Sequence, residues 1–553
     1  MKVIVFLMSV VFFTFWSSQS FAQEVGSLRD SFKISGSAGF QLTGYNSNGI
    51  QGRRQPFSYL LHGNVNFSKG DFSIPLSFTY SEQDRSFSQP FNQFGIAPTY
   101  KWLKTYIGYQ NIFWSKFSLA GHQLLGGGVE LTPGKFRLGF VSGRFQRATG
   151  IDTTRSQNYL PAYKRSGYTA KIGYGTESSF VDLIYMRSKD DQTSLPFQYA
   201  DSVVLVQPGE NTVFALKTMI KVASFMNVYG DAALSVYNRN VNAQEVTIDS
   251  SWSRIASIAG KQTIATQVYF AMEGGANFNF SGHNLSLFYK RIAPDYKSMG
   301  AYFIENDLNA YGVRHSFSML KNRVNLNYGL SIFSDNLLNK KPVTTYRYQP
   351  NVNLSINPSS YWGIDVNWMD LYTKQEDGFT AVNDTIIMQN RNPGFTISPR
   401  INWGNTKAYH MIIGSYLNMR MIDNNAFTAI YMEYAAEITN LMYSLSLLKS
   451  QAAFNVSINR TKNTTASFTE TGMGGSLGYN QGWLEGKLNL NATIATQLSD
   501  VNTNYSFNLG SNYTMEKRHN LGANVFFLNN KSDNINSQNF TELTGVFRYT
   551  INF

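Results

Sequence analysis

The last thirteen residues, Thr541 to Phe553, limit most sharply what this chain can fold into. Leu543, Gly545, Phe547, Tyr549, Ile551 and Phe553 share one parity, while Glu542, Thr544, Val546, Arg548, Thr550 and Asn552 share the other. A strand sends successive side chains to opposite faces, so this stretch has one apolar and one mostly polar face. It covers the roughly 9–11 residues that a tilted strand needs to cross a bilayer. Its final aromatic belongs at a membrane–water boundary, where such rings prefer to sit. The edge strand of a soluble β-protein would alternate in the same way, so the rest of the chain has to decide.

The N-terminus points the same way. Lys2 precedes an apolar run from Val3 to Trp16, and Ser20-Phe21-Ala22 places small residues at the −3 and −1 positions of a cleavage site. Residues 1–22 therefore read as a secretory signal peptide cut near Ala22/Gln23, and 23–553 as a single domain. Beyond it, no stretch approaches the roughly 18 apolar residues of a spanning helix. With 14 Pro in 553 residues, long uninterrupted strands are feasible, and with no Cys a disulfide scaffold and thiol-ligated metals are excluded. The net charge is +12, or +11 once Lys2 leaves with the leader. The basic residues are scattered rather than clustered, which argues against a nucleic-acid surface.

Hairpins follow one another along the chain. Leu61, Gly63, Val65 and Phe67 run into Ser68-Lys-Gly-Asp71, and Phe72, Ile74, Leu76, Phe78 and Tyr80 run out. Tight turns recur at 132–135, 281–284, 321–323, 357–360, 404–407 and 516–519. Longer polar connections separate them at 146–166, 190–211, 240–264, 370–392, 460–470 and 529–539. Short turns alternating with long loops point to a closed all-β, antiparallel transmembrane barrel of about 24–26 strands. Alternation begins already at Phe32, leaving no room for a plug domain ahead of the barrel. Turns are unclear in 94–112 and 417–448, and Pro75, Pro350 and Pro399 fall inside expected strands, which should start later or bulge there.

The closing strand resembles that of bacterial outer-membrane β-barrel proteins. This resemblance implies that Tyr549, Ile551 and Phe553 match the pattern read by the barrel-insertion machinery. Within 92–145, the runs Phe94–Trp102 and Leu119–Phe140 resemble Bacteroidota-type outer-membrane barrels. The resemblance implies an outer-membrane location amid lipid including lipopolysaccharide, and membership of an envelope protein complex as one option. It brings no ligand and no assigned chemistry.

Local motifs for catalysis or cofactors are weak. Gly126-Gly-Gly128 lacks the GK[ST] ending and following helix of a phosphate loop, and reads as a strand bend or close approach. The six histidines, His62, His122, His283, His315, His410 and His519, include no pair three or four apart, and His122 is the one to watch. No G-x-S-x-G elbow occurs. The expectation is therefore no enzyme, no cofactor and no metal. Trp102, Trp362, Trp368 and Trp403 are expected near strand ends as interface girdles, and Tyr159, Tyr163, Trp252 and Tyr302 in loops.

Inward positions carry the functional signal. The alternation turns Arg137, Lys171, Lys217, Lys290, Arg314, Arg347, Arg400 and Arg548 inward, with Glu130, Asp182, Asp231, Glu273, Asp365 and Glu542. A basic side chain facing the bilayer midplane costs roughly 2–4 kcal/mol, so these charges belong to the lumen. Arg144 falls on the outward parity and needs a bulge or a position above the bilayer. The mixed signs leave two readings open: a hydrated channel for hydrophilic solutes, or a crowded, non-conducting barrel serving a secretion or barrel-assembly complex.

Overall fold

In the computed structural model the described residues are 32–82, 92–150, 161–195, 206–246, 260, 262–383, 385, 387–532 and 538–553. The expected signal peptide, Tyr159 and Trp252 lie outside them. Almost everything described is antiparallel strand, with one short helix at Ala429–Met432. There are 27 strand segments, of which Gln93–Ile96 and Thr99–Tyr100 share one stave, giving 26 staves in one sheet. The first strand, Lys33–Asn48, pairs with the last, Phe540–Asn552, so that Gln41 faces Arg548 and the barrel closes. At usual strand spacing and tilt, 26 staves make a wall about 160 Å around.

Every tight turn anticipated from sequence lies on the rim that also carries both chain ends of the described barrel. Three of the expected long loops are shorter than the polarity of their residues implied. The strands Trp362–Asp377 and Gln389–Gly404 leave only 378–388 between them, and Ala452–Thr465 and Thr469–Trp483 only 466–468. His519–Ser532 likewise extends into 529–539. Asn, Gln, Thr and Lys fit a strand that rises out of the lipid as easily as they fit a loop, so polarity alone moved those boundaries inward.

The prolines do not shorten their strands. Pro75, Pro350 and Pro399 all sit mid-strand, and each coincides with a gap in one ladder. Tyr348 pairs with Tyr372 and Asn351 with Met369, but no pairing is made at 349–350. Ile397 pairs with Tyr416 and Arg400 with Ile413, skipping Pro399. Pro75 faces the broken stave, where its carbonyl accepts from the Ala97 N–H at 3.0 Å. The missing donor thus falls where there is no ladder to lose. Trp368 is also a correction, lying well inside its strand rather than at an end.

The outward face is apolar over its middle: Phe136, Ile172, Leu183, Leu216, Leu477 and Ile494 all stand exposed. A continuous band of this kind around a closed wall is stable only against lipid hydrocarbon. Arg144 stays on the outward parity near the upper end of Phe136–Gln146, beside a register shift, and donates to the Tyr109 hydroxyl at 3.0 Å. Gly126 faces Gly143, where a Cβ would overlap the Ser142 carbonyl, so this glycine serves close strand approach.

Candidate functional site: a half-filled lumen

The interior is divided. Along ten consecutive staves, from Leu103–Phe113 to Leu308–Met319, the inward positions include a buried apolar cluster with Leu124, Val141, Met186, Val213 and Ile292. Two connections from the loop rim fold down onto it. The first, 114–119, closes on itself through Trp114 N–H to the Leu119 carbonyl at 2.9 Å and buries Trp114, Phe117 and Leu119. The second, 293–307, buries Tyr296 and Met299. Burying each such side chain contributes roughly 1.5–3 kcal/mol, enough to draw both connections off the solvent.

Polar contacts fix where they sit. The Tyr296 hydroxyl donates to the Phe117 carbonyl at 2.7 Å and Ser298 Oγ to the Ser118 carbonyl at 2.6 Å. Asn211 and Ser235 on the wall hold the second connection, through Met299 N–H at 2.9 Å and the Lys297 carbonyl at 2.6 Å. Gly300 passes so close that a Cβ would overlap Met186 Sδ and the Ser118 carbonyl. Buried Tyr296 has its phenol pKa pushed well above the usual range by desolvation. Desolvation likewise lowers the Lys297 ammonium pKa, with Arg165 adding repulsion.

The inward charges of this half mostly meet partners. Arg137 forks onto Asp182 at 2.7 and 2.9 Å, with its guanidinium over the Phe180 ring. Lys171 and the Tyr106 hydroxyl both reach Glu130, at 2.8 and 2.9 Å, and Trp114 Nε1 donates to the same carboxylate. Asp231 accepts from Ser115 Oγ at 2.6 Å and Lys116 N–H at 2.8 Å, while Lys116 Nζ pairs with Glu273. Lys217 faces Asp231 and lies over the Phe113 ring. Arg347 pairs with Glu305 of the second connection, and Lys290 faces Glu273 across the ladder.

The remaining inward charges are sparser. Arg400 donates to Asn357, Arg548 to Gln41 at 2.8 Å, and Asp365 faces Ser355 and Ser398. Glu542 accepts from the Tyr45 hydroxyl at 2.5 Å and pairs with Arg53 at 3.4 Å. Among the described residues Arg314 has no carboxylate partner, and it lies over the Phe288 ring at 5.3 Å.

The opposite half is chemically different. From Ala452–Thr465 round to Phe540–Asn552, most inward positions are amides, hydroxyls and glycines such as Asn455, Ser457, Asn480, Asn491 and Asn508, with Ala495, Phe526, Leu528 and Val546 among them. The inward charges there are Glu470, Glu542 and Arg548. Amides bond to one another, as in Asn524 to Asn508 at 2.7 Å, and Ser457 bonds Ser476 at 2.7 Å. Among the described residues, no connection folds over this wall. Between the halves, Ala408–Asp423 turns Met411, Ile413, Leu417 and Met419 inward, and Met369 and Met419 flank Gly394.

The inserted connections were not anticipated from sequence; their one signal is the apolar Trp114, Phe117 and Leu119 inside a six-residue connection. His122 is buried, stacked on Tyr302 at 4.0 Å, with Nδ1 against the Gln123 carbonyl at 3.1 Å. The fold brings together His283 and His315, remote in sequence, with ring nitrogens 3.2 Å apart on the outward face near the turn rim. Among the described residues no three His, Cys, Asp or Glu side chains cluster as a metal site.

No protein-family model matches the chain, and no curated protein is similar to it in sequence. Among solved structures it is similar to the translocation pore of the P pilus usher PapC, at 9% identity over 94% of this chain and 100% of that one, TM-score 0.41. It is also similar to a BenF-like porin from Pseudomonas fluorescens Pf-5, at 12% identity over 94% and 99%, TM-score 0.29. Acinetobacter baumannii OccAB4 matches at 11% identity over 76% and 98%, TM-score 0.31. The fold defines the class: a closed 26-stranded transmembrane β-barrel of the outer-membrane type.

Proposed function

We propose that the protein is an outer-membrane channel that lets hydrophilic solutes diffuse through the sparsely charged half of its lumen. The observation that supports this most is the division of the interior. Charges on the filled half are largely neutralised by one another or by the inserted connections, whereas the other half offers amides and hydroxyls to water. Such a wall sorts solutes by size and hydrogen bonding more than by charge. On the resemblance of residues 92–145 alone, the same proposal sets the barrel in a Bacteroidota-type outer membrane, surrounded by lipid including lipopolysaccharide. Proteoliposomes test it: swelling in isotonic uncharged sugars should exceed that of empty vesicles and fall off with sugar size. The apolar cluster supports the other reading, a non-conducting subunit of an envelope complex. Vesicles with the protein inserted that swell no faster than empty ones would favour it.

A further inference from the structure

Below the inserted connections, near the turn rim, the inner wall holds a cavity of about 520 Å³, within the range of small-molecule sites. Asn227, Asn277, Asn284, Asn327 and Asn351 line it with Arg314, and nine of its twelve lining residues share the inward parity. Its composition is unusual for this half of the barrel. Other inward arginines are tied to a polar side chain: Arg137 meets Asp182, Arg347 meets Glu305, Arg400 donates to Asn357 and Arg548 to Gln41. Among the described residues no acidic side chain lines this cavity, and Arg314 lies against the Phe288 face. Among the described residues, no protein group hydrogen-bonds to the side chains of those five asparagines. Gly329 lets the Asn351 amide and the Arg314 stem lie side by side, since a Cβ there would come within 3.1 Å of Asn351 Oδ1 and 3.4 Å of Arg314 Cγ.

We propose that this cavity binds a hydroxylated carboxylate of sugar-acid type, with Arg314 taking the carboxylate and the asparagine amides the hydroxyls. A guanidinium presents paired N–H donors that match a carboxylate edge. Each amide both donates and accepts, as a hydroxyl does, so a fan of asparagines matches a polyol. With no acid in the lining, an ammonium group gains no partner, which disfavours amino sugars and amino acids. A single guanidinium balances a monoanion and leaves a phosphate dianion half neutralised. The assignment rests on the channel reading for its purpose, because the site would concentrate such solutes at the turn-side mouth.

The experiment titrates galacturonate, galactose, glucosamine and glucose 6-phosphate into the detergent-solubilised full-length protein by calorimetry, and measures conductance of the same preparation in bilayers. Galacturonate should bind more tightly than the other three. Arg314→Gln should weaken it about tenfold or more, as expected for lost charged hydrogen bonds, while barely changing galactose. Arg314→Lys should fall between, and Asn327→Ala with Asn351→Ala should weaken both sugars. Unchanged galacturonate affinity in folded Arg314→Gln, or tighter binding of the phosphate, overturns the assignment. Conductance without galacturonate binding overturns the site and leaves the channel standing. Binding without conductance does the reverse.

Discussion

Replacing Asp231 with Ala should free the first inserted connection without dismantling the barrel. Asp231 holds that connection through Ser115 Oγ and Lys116 N–H, at 2.6 and 2.8 Å. A hydrogen bond to a charged group contributes about 1.5–3 kcal/mol, so losing both costs about 3 kcal/mol at the lower bound, or roughly a hundredfold more of the detached form. Trp114, Phe117 and Leu119 keep their apolar anchorage, so the seated form remains the majority. The chain has no Cys, which makes Ser118→Cys a clean reporter. Ser118 is fully buried and its Oγ has no hydrogen-bond partner among the described residues, so the exchange removes none of the bonds seen there. When reseating is fast, labelling by a charged maleimide follows the detached population. The double variant should label roughly a hundredfold faster than Ser118→Cys alone. Asp365→Ala, an inner-face carboxylate facing Ser355 and Ser398, should change nothing. A rate within about threefold of the parent, in a barrel that keeps its heat-modifiable gel mobility, would refute the reasoning.

Other perturbations read different parts of the structure. Gly300→Ala should also speed Ser118→Cys labelling, because its Cβ has no space between Met186 and Ser118. Arg137→Ala or Asp182→Ala should each cost about 3–5 kcal/mol by stranding a buried charge, while Arg137→Met with Asp182→Leu should recover most of it, read as the midpoint of heat-induced gel shift. Asp307, at the end of the second inserted connection, anchors the connection 335–342: burial works against its carboxylate, but Lys341 and the Leu337 and Asn336 N–H groups outweigh it and hold its pKa below the usual value. A depressed folded pKa gives stability that is present above the ordinary carboxylate range and lost as pH falls through the lowered value. Pepsin should therefore nick 335–342 in the parent only at pH well below about 4, and in Asp307→Asn throughout its acid range. Deleting Phe553, whose N–H donates to the Gly36 carbonyl at 3.0 Å at the seam, should lower the yield of assembled barrel in membranes.

Much of the wall was legible in the sequence because a strand with lipid on one side and water on the other must alternate. Leu61 to Phe67 and Phe72 to Tyr80 do so cleanly, and the turn between them is tight. Legibility fails where that contrast vanishes. Ala408–Asp423 has apolar side chains on both faces, because Met411, Ile413, Leu417 and Met419 face inward, so parity within 417–448 gives no direction. The filled half is illegible for a different reason. Trp114 to Leu119 take their place from Glu130 on the next strand and from Asp231, Glu273 and Tyr296, which arrive from elements far along the chain. The isolation of Arg314 was equally hidden. Sequence shows that it points inward with thirteen other charges, and only the register shows that most of those meet polar partners while Arg314, among the described residues, meets the Phe288 ring.

The claim that half of the lumen is an open, nearly uncharged path is tested most directly by planar-bilayer recording under a potassium chloride gradient. Steady conductance with a reversal potential near zero is expected, because inward charges are few on that half and largely paired on the other. Silent bilayers in which maleimide labelling of a cysteine introduced on a loop-rim connection proves insertion would contradict it. So would a reversal potential close to the limit for one ion.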